Sequence, residues 1–192
     1  MKEHTKLAIK EWTESIIIAV ILALFIRTFV VQAFKIPSGS MIPTFQVGDR
    51  IFVNKFIYGA KIPLLNANLP ALRQPKRGDI VVFISPDAPK KDFVKRLIAV
   101  GGEKVEIKDG KILVNGKIVE EPSSIRSVYY YNGGDYGKEG QIIDVPKDSY
   151  FVLGDNSASS RDSRFWGFVP KKNLLGKVIV IYWPIHRMKT IN

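Results

Sequence analysis

Cysteine is absent from this sequence of 192 residues, and histidine occurs only twice, at His4 and His186. Without cysteine, the chain forms no disulfide and offers no thiolate as a nucleophile or metal ligand. Neither histidine has other candidate ligands or catalytic groups near it in the sequence. We therefore expect no metal site, no cofactor and no catalytic triad that depends on histidine.

Acidic residues are few, since 18 Asp and Glu stand against 29 Lys and Arg and give a net charge of +11. A basic excess of this kind is found in proteins that bind nucleic acid or an anionic membrane surface. The basic residues are scattered, and the sequence has neither an aromatic RNA-binding signature nor a helix-turn-helix pattern. We therefore expect membrane lipids, and not nucleic acid, as the anionic partner.

Long apolar runs are also scarce, and the exception is the uninterrupted run at residues 16–26. Extended to residues 15–34, this segment has 20 residues and one charge, Arg27. A helix that spans a bilayer needs ~20 residues. By itself the segment is compatible with an uncleaved anchor, with Arg27 at the interface, and equally with a cleavable signal peptide.

The residues after the apolar run favour an uncleaved anchor, because a candidate catalytic loop begins at residue 36. Lys2, Lys6 and Lys10 precede the run, which favours a cytoplasmic amino terminus. We therefore predict a cytoplasmic segment at residues 1–14, a single transmembrane anchor at residues 15–34 and an extracytoplasmic catalytic domain at residues 35–192.

Helical periodicity is missing beyond the anchor, and short alternating segments take its place. They predict strands at residues 50–53, 80–84, 94–100, 105–108, 111–114, 117–119, 150–153 and 177–183. Asp109-Gly110 and Asn115-Gly116 are typical of two-residue hairpin turns. We predict a mainly β protein, with an antiparallel coiled or barrel-like catalytic domain and a small inserted β-hairpin subdomain at about residues 106–147.

Residues 36–45, IPSGSMIPTF, contain the first candidate catalytic group. Proline fixes φ and glycine permits unusual φ, so the residues around Ser40 predict a rigid, irregular turn. Such a turn can expose a hydroxyl beside free backbone N–H groups, as acyl transfer requires. An ordinary loop rich in serine, glycine and proline explains the same residues, so Ser40 needs a partner before it is a nucleophile.

Lys95 is the candidate partner, because a serine nucleophile needs a base and histidine is nearly absent. A lysine acts as a base only if burial lowers its pKa from ~10.4 towards 7–8. Lys95 lies in the apolar segment 92–102, and strand alternation places it on one face and Arg96 on the other. The residues predicted to share the face of Lys95 are Phe93, Leu97 and Ala99. Alternatively, Lys95 and Arg96 are edge-strand charges that keep a sheet soluble.

Residues 152–170 contain the remaining polar candidates. Asp162 and Arg164 can form an ion pair, and Ser160 or Ser163 can hydrogen-bond a neutral lysine. A catalytic pair of Asp155 with Asp162 is disfavoured, because the neighbouring arginines would keep both carboxylates ionised.

The sequence resembles bacterial type I signal peptidases, a family of peptidases with a Ser/Lys dyad, over nearly its whole length. Five segments in the family's order carry the resemblance: the anchor ending in Arg27-Thr28-Phe29, then residues 36–45, 76–83, 93–107 and 154–170. The resemblance implies a serine endopeptidase that removes signal peptides from exported preproteins at the outer face of the cytoplasmic membrane. It also implies an acyl-enzyme and a preference for small residues at −1 and −3.

The resemblance assigns roles to particular residues of the site. Ser40 corresponds to the nucleophile and Lys95 to the general base. The side chain of Ser38 and the N–H of Ser40 correspond to the oxyanion hole, and Ser160 to the hydroxyl that orients the lysine. The residues implied to lie near the shallow substrate pockets are Phe34, Ile36, Met41, Phe45, Phe93 and Val94.

The resemblance also implies that Asp162 and Arg164 form an ion pair that supports the site. One departure from the family concerns the residues after the Gly-Asp-Asn triplet. The best-known Gram-negative members have an arginine and an acidic residue there, whereas this sequence has Ser157 and Ala158. The departure does not affect the proposed dyad.

Two other functions remain open at this point. One is another membrane-anchored Ser/Lys processing peptidase with a dedicated substrate. The other is a non-catalytic, anchored β module that binds envelope partners. For the peptidase, the expected partners are preproteins with signal peptides and membrane lipids.

Overall fold

A computed structural model describes residues 2–59 and 69–191 of the chain. The helices in these residues are α1 Lys2–Phe25, α2 Ser123–Arg126 and α3 Ser163–Trp166. The strands are β1 Val31–Lys35, β2 Arg50–Asn54, β3 Ile80–Ile84, β4 Asp92–Val100, β5 Lys104–Lys108, β6 Lys111–Val114, β7 Lys117–Ile118, β8 Ile143–Asp144, β9 Ser149–Leu153, β10 Val169–Pro170, β11 Leu174–Trp183 and β12 Lys189–Thr190.

The amino-terminal helix α1 continues through a π-helical turn, Ile26–Val30, into strand β1. Within residues 2–59 and 69–191, no helix combines the length and the apolar character needed to cross a membrane. Residues 31–34, the end of the predicted anchor, belong to β1 and pair with β2. Met1, in the predicted cytoplasmic segment 1–14, lies outside the described residues.

The main sheet is antiparallel and has the strand order β1-β2-β11-β3-β4-β9-β10, with β12 beside β11. This architecture confirms the prediction of a mainly β, antiparallel protein. Strand β4 lies between β3 and β9, so the interpretation of Lys95 and Arg96 as edge-strand charges is wrong. Both are almost fully buried, with 4% and 3% of their surface exposed.

The predicted alternation along β4 holds only in part. Phe93 and Leu97 pack in the same hydrophobic cluster, as alternation requires. The register with β9 shifts between Leu97 and Ala99, and Ala99 packs with Ile98 in another cluster. An irregularity of this kind inserts one residue and reverses the faces beyond it, so the prediction for Ala99 is wrong.

The second sheet has the order β7-β6-β5-β8 and runs from Lys104 to Asp144, against a predicted insertion at about 106–147. Its hairpin turns have positive φ at both central residues, 50° and 73° at Asp109-Gly110 and 52° and 76° at Asn115-Gly116. Positive φ at both positions defines the turn type that these dipeptides favour.

A shared hydrophobic core joins the two sheets. Ile98, Phe151 and Leu153 of the main sheet pack in one cluster with Ile107 and Ile112 of the second sheet. The second sheet is therefore held against the back of β4 and β9, the strands next to the candidate catalytic residues.

Candidate active site

Ser40 lies in a short 3-10 turn, Gly39–Met41, soon after strand β1. Buried Ile36 precedes the turn and buried Met41 ends it, and the Ile36 N–H donates to the Asp49 carbonyl at 2.8 Å. Apolar side chains thus fix both ends of an irregular segment whose central hydroxyl stays half-buried. The geometry agrees with the rigid turn predicted from proline and glycine.

Strand β4 brings Lys95 to this turn across 55 positions of sequence. Lys95 Nζ donates to Ser40 Oγ at 2.6 Å and to the Val94 carbonyl at 3.2 Å. The hydroxyl and the amine are therefore in direct contact, as proton transfer between them requires.

Burial lowers the pKa of Lys95 to about 8. The negative charges of Asp162 and Asp155 oppose this effect, and the positive charge of Arg164 adds to it. Desolvation dominates because an ammonium loses most of its hydration in an apolar strand. A substantial fraction of the amine is thus unprotonated near pH 8.

Residues 154–156 hold the turn of Ser40 from the other side. The Asn156 N–H donates to the Ser40 carbonyl at 3.0 Å, and Asn156 Nδ2 donates to the Gly39 carbonyl at 3.0 Å. A Cβ on Gly154 would lie 2.5 Å from the Ser40 carbonyl oxygen, so only glycine fits there. The sequence alone did not indicate that this triplet contacts the turn of Ser40.

Two buried ion pairs surround the dyad. Arg96 donates to Asp155 through Nε at 2.7 Å and through Nη2 at 2.6 Å. Arg164 donates to Asp162 through Nε at 2.8 Å and through Nη2 at 2.9 Å. The second pair joins residues that the sequence suggested as partners. The first was missed, because its members are 59 positions apart.

The other predicted hydroxyls lie at different distances from the dyad. Ser38 Oγ is exposed and lies 3.5 Å from Ser40 Oγ. Ser160 Oγ is buried and has no hydrogen-bond partner among the described residues, so the structure does not form its predicted contact with Lys95. Ser163 Oγ, the other candidate, accepts from the Val152 N–H at 3.0 Å.

The dyad opens into a cleft of about 570 Å³. The predicted pocket residues that line it are Phe34, Ile36, Met41, Phe93 and Val94. Phe45 does not line the cleft, because its side chain is 0% exposed and packs in the core below the turn. The resemblance implied a position near the substrate pockets, and the structure corrects this, because a fully buried side chain cannot contact a substrate in the cleft.

Another cavity, of about 650 Å³, is lined by residues that include Tyr58, Arg73 and Lys171. It contains neither Ser40 nor Lys95, so its larger volume is no reason to place the chemistry there. In the ranges 2–59 and 69–191, no three acidic or histidine side chains converge as metal ligands. The smaller cleft holds the Ser40 hydroxyl and the buried Lys95 amine, the two groups that acyl transfer by a Ser/Lys pair uses.

Comparisons with known proteins identify similar chains. A family model described as "Signal peptidase, peptidase S26" matches residues 9–183. The probable signal peptidase I-2 of Synechocystis sp. is 41% identical over 183 residues, 93% of this chain and 75% of that protein. The signal peptidase I of Leptolyngbya laminosa is 40% identical over 185 residues, 93% of this chain and 81% of that protein. A crystal structure of a signal peptidase I from Enterococcus faecalis V583 covers 55% of this chain and 97% of that chain, with 34% identity and a TM-score of 0.45.

Proposed function

The chain belongs to the signal peptidase family, peptidase S26, and on this premise we propose that it removes signal peptides from exported preproteins with Ser40 as nucleophile and Lys95 as general base. It is a serine endopeptidase by membership of this family. The observation that carries the proposed dyad is the distance of 2.6 Å between Lys95 Nζ and Ser40 Oγ. The low pKa of Lys95, about 8, supports the same role.

In the proposed acylation, neutral Lys95 accepts the proton of the Ser40 hydroxyl while Oγ attacks the scissile carbonyl carbon. The tetrahedral oxyanion accepts a hydrogen bond from the Ser40 N–H. It accepts a second one from the Ser38 hydroxyl, once the Ser38 side chain has rotated about χ1. The Lys95 ammonium then gives its proton to the leaving amine. The mature protein departs, and the signal peptide stays as an ester on Ser40.

Deacylation reverses the proton transfers with water as the nucleophile. Lys95 removes a proton from the water, the water oxygen attacks the ester, and the proton returns to Ser40 Oγ. We assign Ser160 to orienting the Lys95 amine. Its hydroxyl is buried and would lie 2.2 Å from a Cβ placed on Gly154, beside the backbone of Ser40.

The proposed substrate preference is for small residues at −1 and −3. Five bulky apolar side chains, named above, line the cleft and restrict the space next to Ser40. A shallow apolar site favours small side chains, because larger ones must displace lining residues that are packed into the core.

We place the enzyme in the cytoplasmic membrane as a single-pass protein, with a cytoplasmic amino terminus and the catalytic domain outside. Helix α1 supports this placement, because its large apolar side chains from Ile16 to Phe25 are between 51% and 65% exposed. Contiguous exposed apolar surface of this kind marks a contact with a membrane or another protein. When the enzyme and its preprotein substrate are attached to the same membrane, each meets the other at a raised effective concentration.

The decisive experiment measures cleavage of a preprotein by the full chain and by matched variants. Ser40→Ala and Lys95→Arg should each lower kcat/KM by roughly a thousandfold or more, because each removes a reacting group. Ser159→Ala and Lys91→Arg are controls in the same cleft, outside the dyad, and should stay within about twofold of the parent chain.

Full activity in either dyad variant would disprove the proposed mechanism. A parent chain that binds the preprotein and never cleaves it would support the non-catalytic binding module. Cleavage of one preprotein out of a varied panel would support a processing peptidase with a dedicated substrate.

A further inference from the structure

The Tyr130 hydroxyl is a buried polar group that the proposed mechanism does not use. Tyr130 is 1% exposed, and its hydroxyl has no hydrogen-bond partner among the described residues. An unpaired buried hydroxyl is unfavourable, so such groups are nearly always paired with protein or with ordered water. The residue therefore indicates a polar contact completed by a bound water.

Tyr130 lies where the second sheet meets residues 157–164. Its N–H donates to the Gly110 carbonyl at 2.9 Å, in a hairpin turn of the second sheet. The next residue, Tyr131, donates its N–H to Ser157 Oγ at 2.9 Å and accepts from Arg164 Nη1 at 2.7 Å. These bonds hold the backbone of Tyr130 and Tyr131 between the second sheet and the residues around Arg164, and the side chain of Tyr130 packs in the core that the two sheets share.

The charges of the site act directly on the Tyr130 phenol. Burial raises the pKa of Tyr130, and the negative charges of Asp155 and Asp162 raise it further, with Asp155 the larger of the two. Arg96 and Arg164 act in the opposite direction. The phenol therefore stays protonated at neutral pH and is available as a donor.

Asp155 has an acceptor position left for this donor. Its Oδ1 accepts one hydrogen bond, from Arg96 Nε, while Oδ2 accepts from Arg96 Nη2 and from the Thr44 hydroxyl. A carboxylate accepts about four hydrogen bonds, two on each oxygen. One acceptor position on Oδ1 is thus unused by the described residues.

Asp162 has no such position. Its Oδ1 accepts from the N–H and the Nε of Arg164, and its Oδ2 accepts from the Gly154 N–H and from Arg164 Nη2. All of its acceptor positions are therefore occupied. Asp155 is thus the carboxylate to which the Tyr130 hydroxyl can donate a hydrogen bond.

We propose that Tyr130 is a positioning residue for the Ser40–Lys95 dyad, whose hydroxyl donates through one bound water to Asp155 Oδ1. This inference rests on the proposed function. The contact links the second sheet to residues 154–156, which hold the backbone of Ser40. It also spreads the charge of Asp155, one of the two carboxylates that act on Lys95.

The expected consequence is a change in the pH profile of cleavage. The charged groups that act on the Lys95 amine are Asp162, Asp155 and Arg164. Loss of the phenol hydroxyl leaves the Asp155 charge less dispersed, which favours the ammonium form and raises the pKa of Lys95. Because the base must be neutral, the acidic limb of kcat/KM moves to higher pH.

The test compares Tyr130→Phe with Tyr58→Phe in the full chain, over the pH range of the acidic limb of kcat/KM. Tyr58 is the matched control, because its hydroxyl also donates to a buried carboxylate, Asp79 Oδ2 at 2.7 Å, but Asp79 does not act on Lys95. Tyr130→Phe should move the limb up by about 0.3–0.5 pH unit, a loss of roughly twofold to threefold at pH 7 with the alkaline plateau kept. Tyr58→Phe should leave the limb in place.

A limb that coincides with that of the parent chain would overturn the inference, as would an equal shift in the control or a uniform loss at every pH. The thermal unfolding midpoints of both variants are measured first. The pH profiles of kcat/KM are then recorded at a temperature well below the lower of the two midpoints. Ser40→Ala is run in the same assay. Its activity would refute the dyad itself, whereas an unmoved limb refutes only the role of Tyr130.

Discussion

At the scale of single residues, the molecule contains a cation whose burial opposes folding. The pKa of Lys95 is about 8 in the folded chain, against an ordinary value of 10.5. Between these two values the unfolded chain binds the proton more tightly, so stability rises with pH there. Below about pH 8 the whole difference, about 3 kcal/mol, acts against the folded state.

We therefore predict that Lys95→Met abolishes cleavage and raises the free energy of unfolding at pH 7 by up to about 3 kcal/mol. Urea denaturation at pH 7 and at about pH 11 measures the effect, and the gain should vanish at the higher pH. A variant that is less stable than the parent at pH 7 would show that the hydrogen bond to Ser40 outweighs the desolvation of the amine.

Other residues of the site were predictable to the extent that their chemistry is local. Ser40 stands between prolines in a turn that those prolines impose, and Asp162 pairs with a neighbour two positions away. Phe45 was misassigned because it is fully buried, and the pairing of Asp155 with Arg96 was missed because the two residues are distant in the sequence. The near absence of histidine made lysine the candidate base before any geometry was known.

At the scale of elements, the buried pair of Arg96 and Asp155 connects the centre of β4 to the turn that holds Ser40. Their side chains are 4% and 2% exposed. Such a pair is no guarantee of stability, since removing two charges from water offsets most of their attraction. Replacing only one member of the pair, however, leaves the charge of the other member buried and uncompensated.

We predict that Arg96→Met lowers the free energy of unfolding by about 3–5 kcal/mol, and that Arg96→Met with Asp155→Leu loses clearly less than this. A double-mutant cycle by chemical denaturation measures the coupling. The idea fails if the double variant is less stable than Arg96→Met, since the uncompensated carboxylate would then not be the cause.

Strands were predictable where alternation or apolar runs extend over several residues, as in β3 and β6, whose bounds match those expected. The two-residue strands β8, β10 and β12 carry no such pattern and form only because a neighbour pairs with them. Strand β1 was missed for another reason. Its apolar residues continue the hydrophobic run of α1, so its pairing with β2 leaves no mark in the sequence.

At the scale of the whole molecule, an exposed apolar helix precedes a domain of two packed antiparallel sheets. We predict that the full chain partitions with membranes through this helix. Ile17→Asp with Ile21→Asp should release it, because each places a charge among apolar side chains that are 52% and 61% exposed.

Thr13→Asp with Ser15→Asp is the matched control, since it adds the same charge to the same helix outside its apolar run. The fraction of chain that stays with membranes after an alkaline carbonate wash measures partitioning. Equal release by both pairs of substitutions would contradict a role for the apolar run and point to the net charge of the helix.

The sequence by itself determined what nearest neighbours along the chain decide: strands with clear alternation, the Asp-Gly and Asn-Gly turns, the rigid turn at Ser40, and the need for a lysine base. Only the tertiary structure decided the 2.6 Å contact of Lys95 with Ser40, the two bonds from Asn156, the partner of Arg96 and the burial of Phe45. The physical reason is that strand register and desolvation depend on the whole packed sheet. A shift of one residue in β4 would turn Lys95 to the other face and return its amine to the ordinary pKa of an exposed lysine.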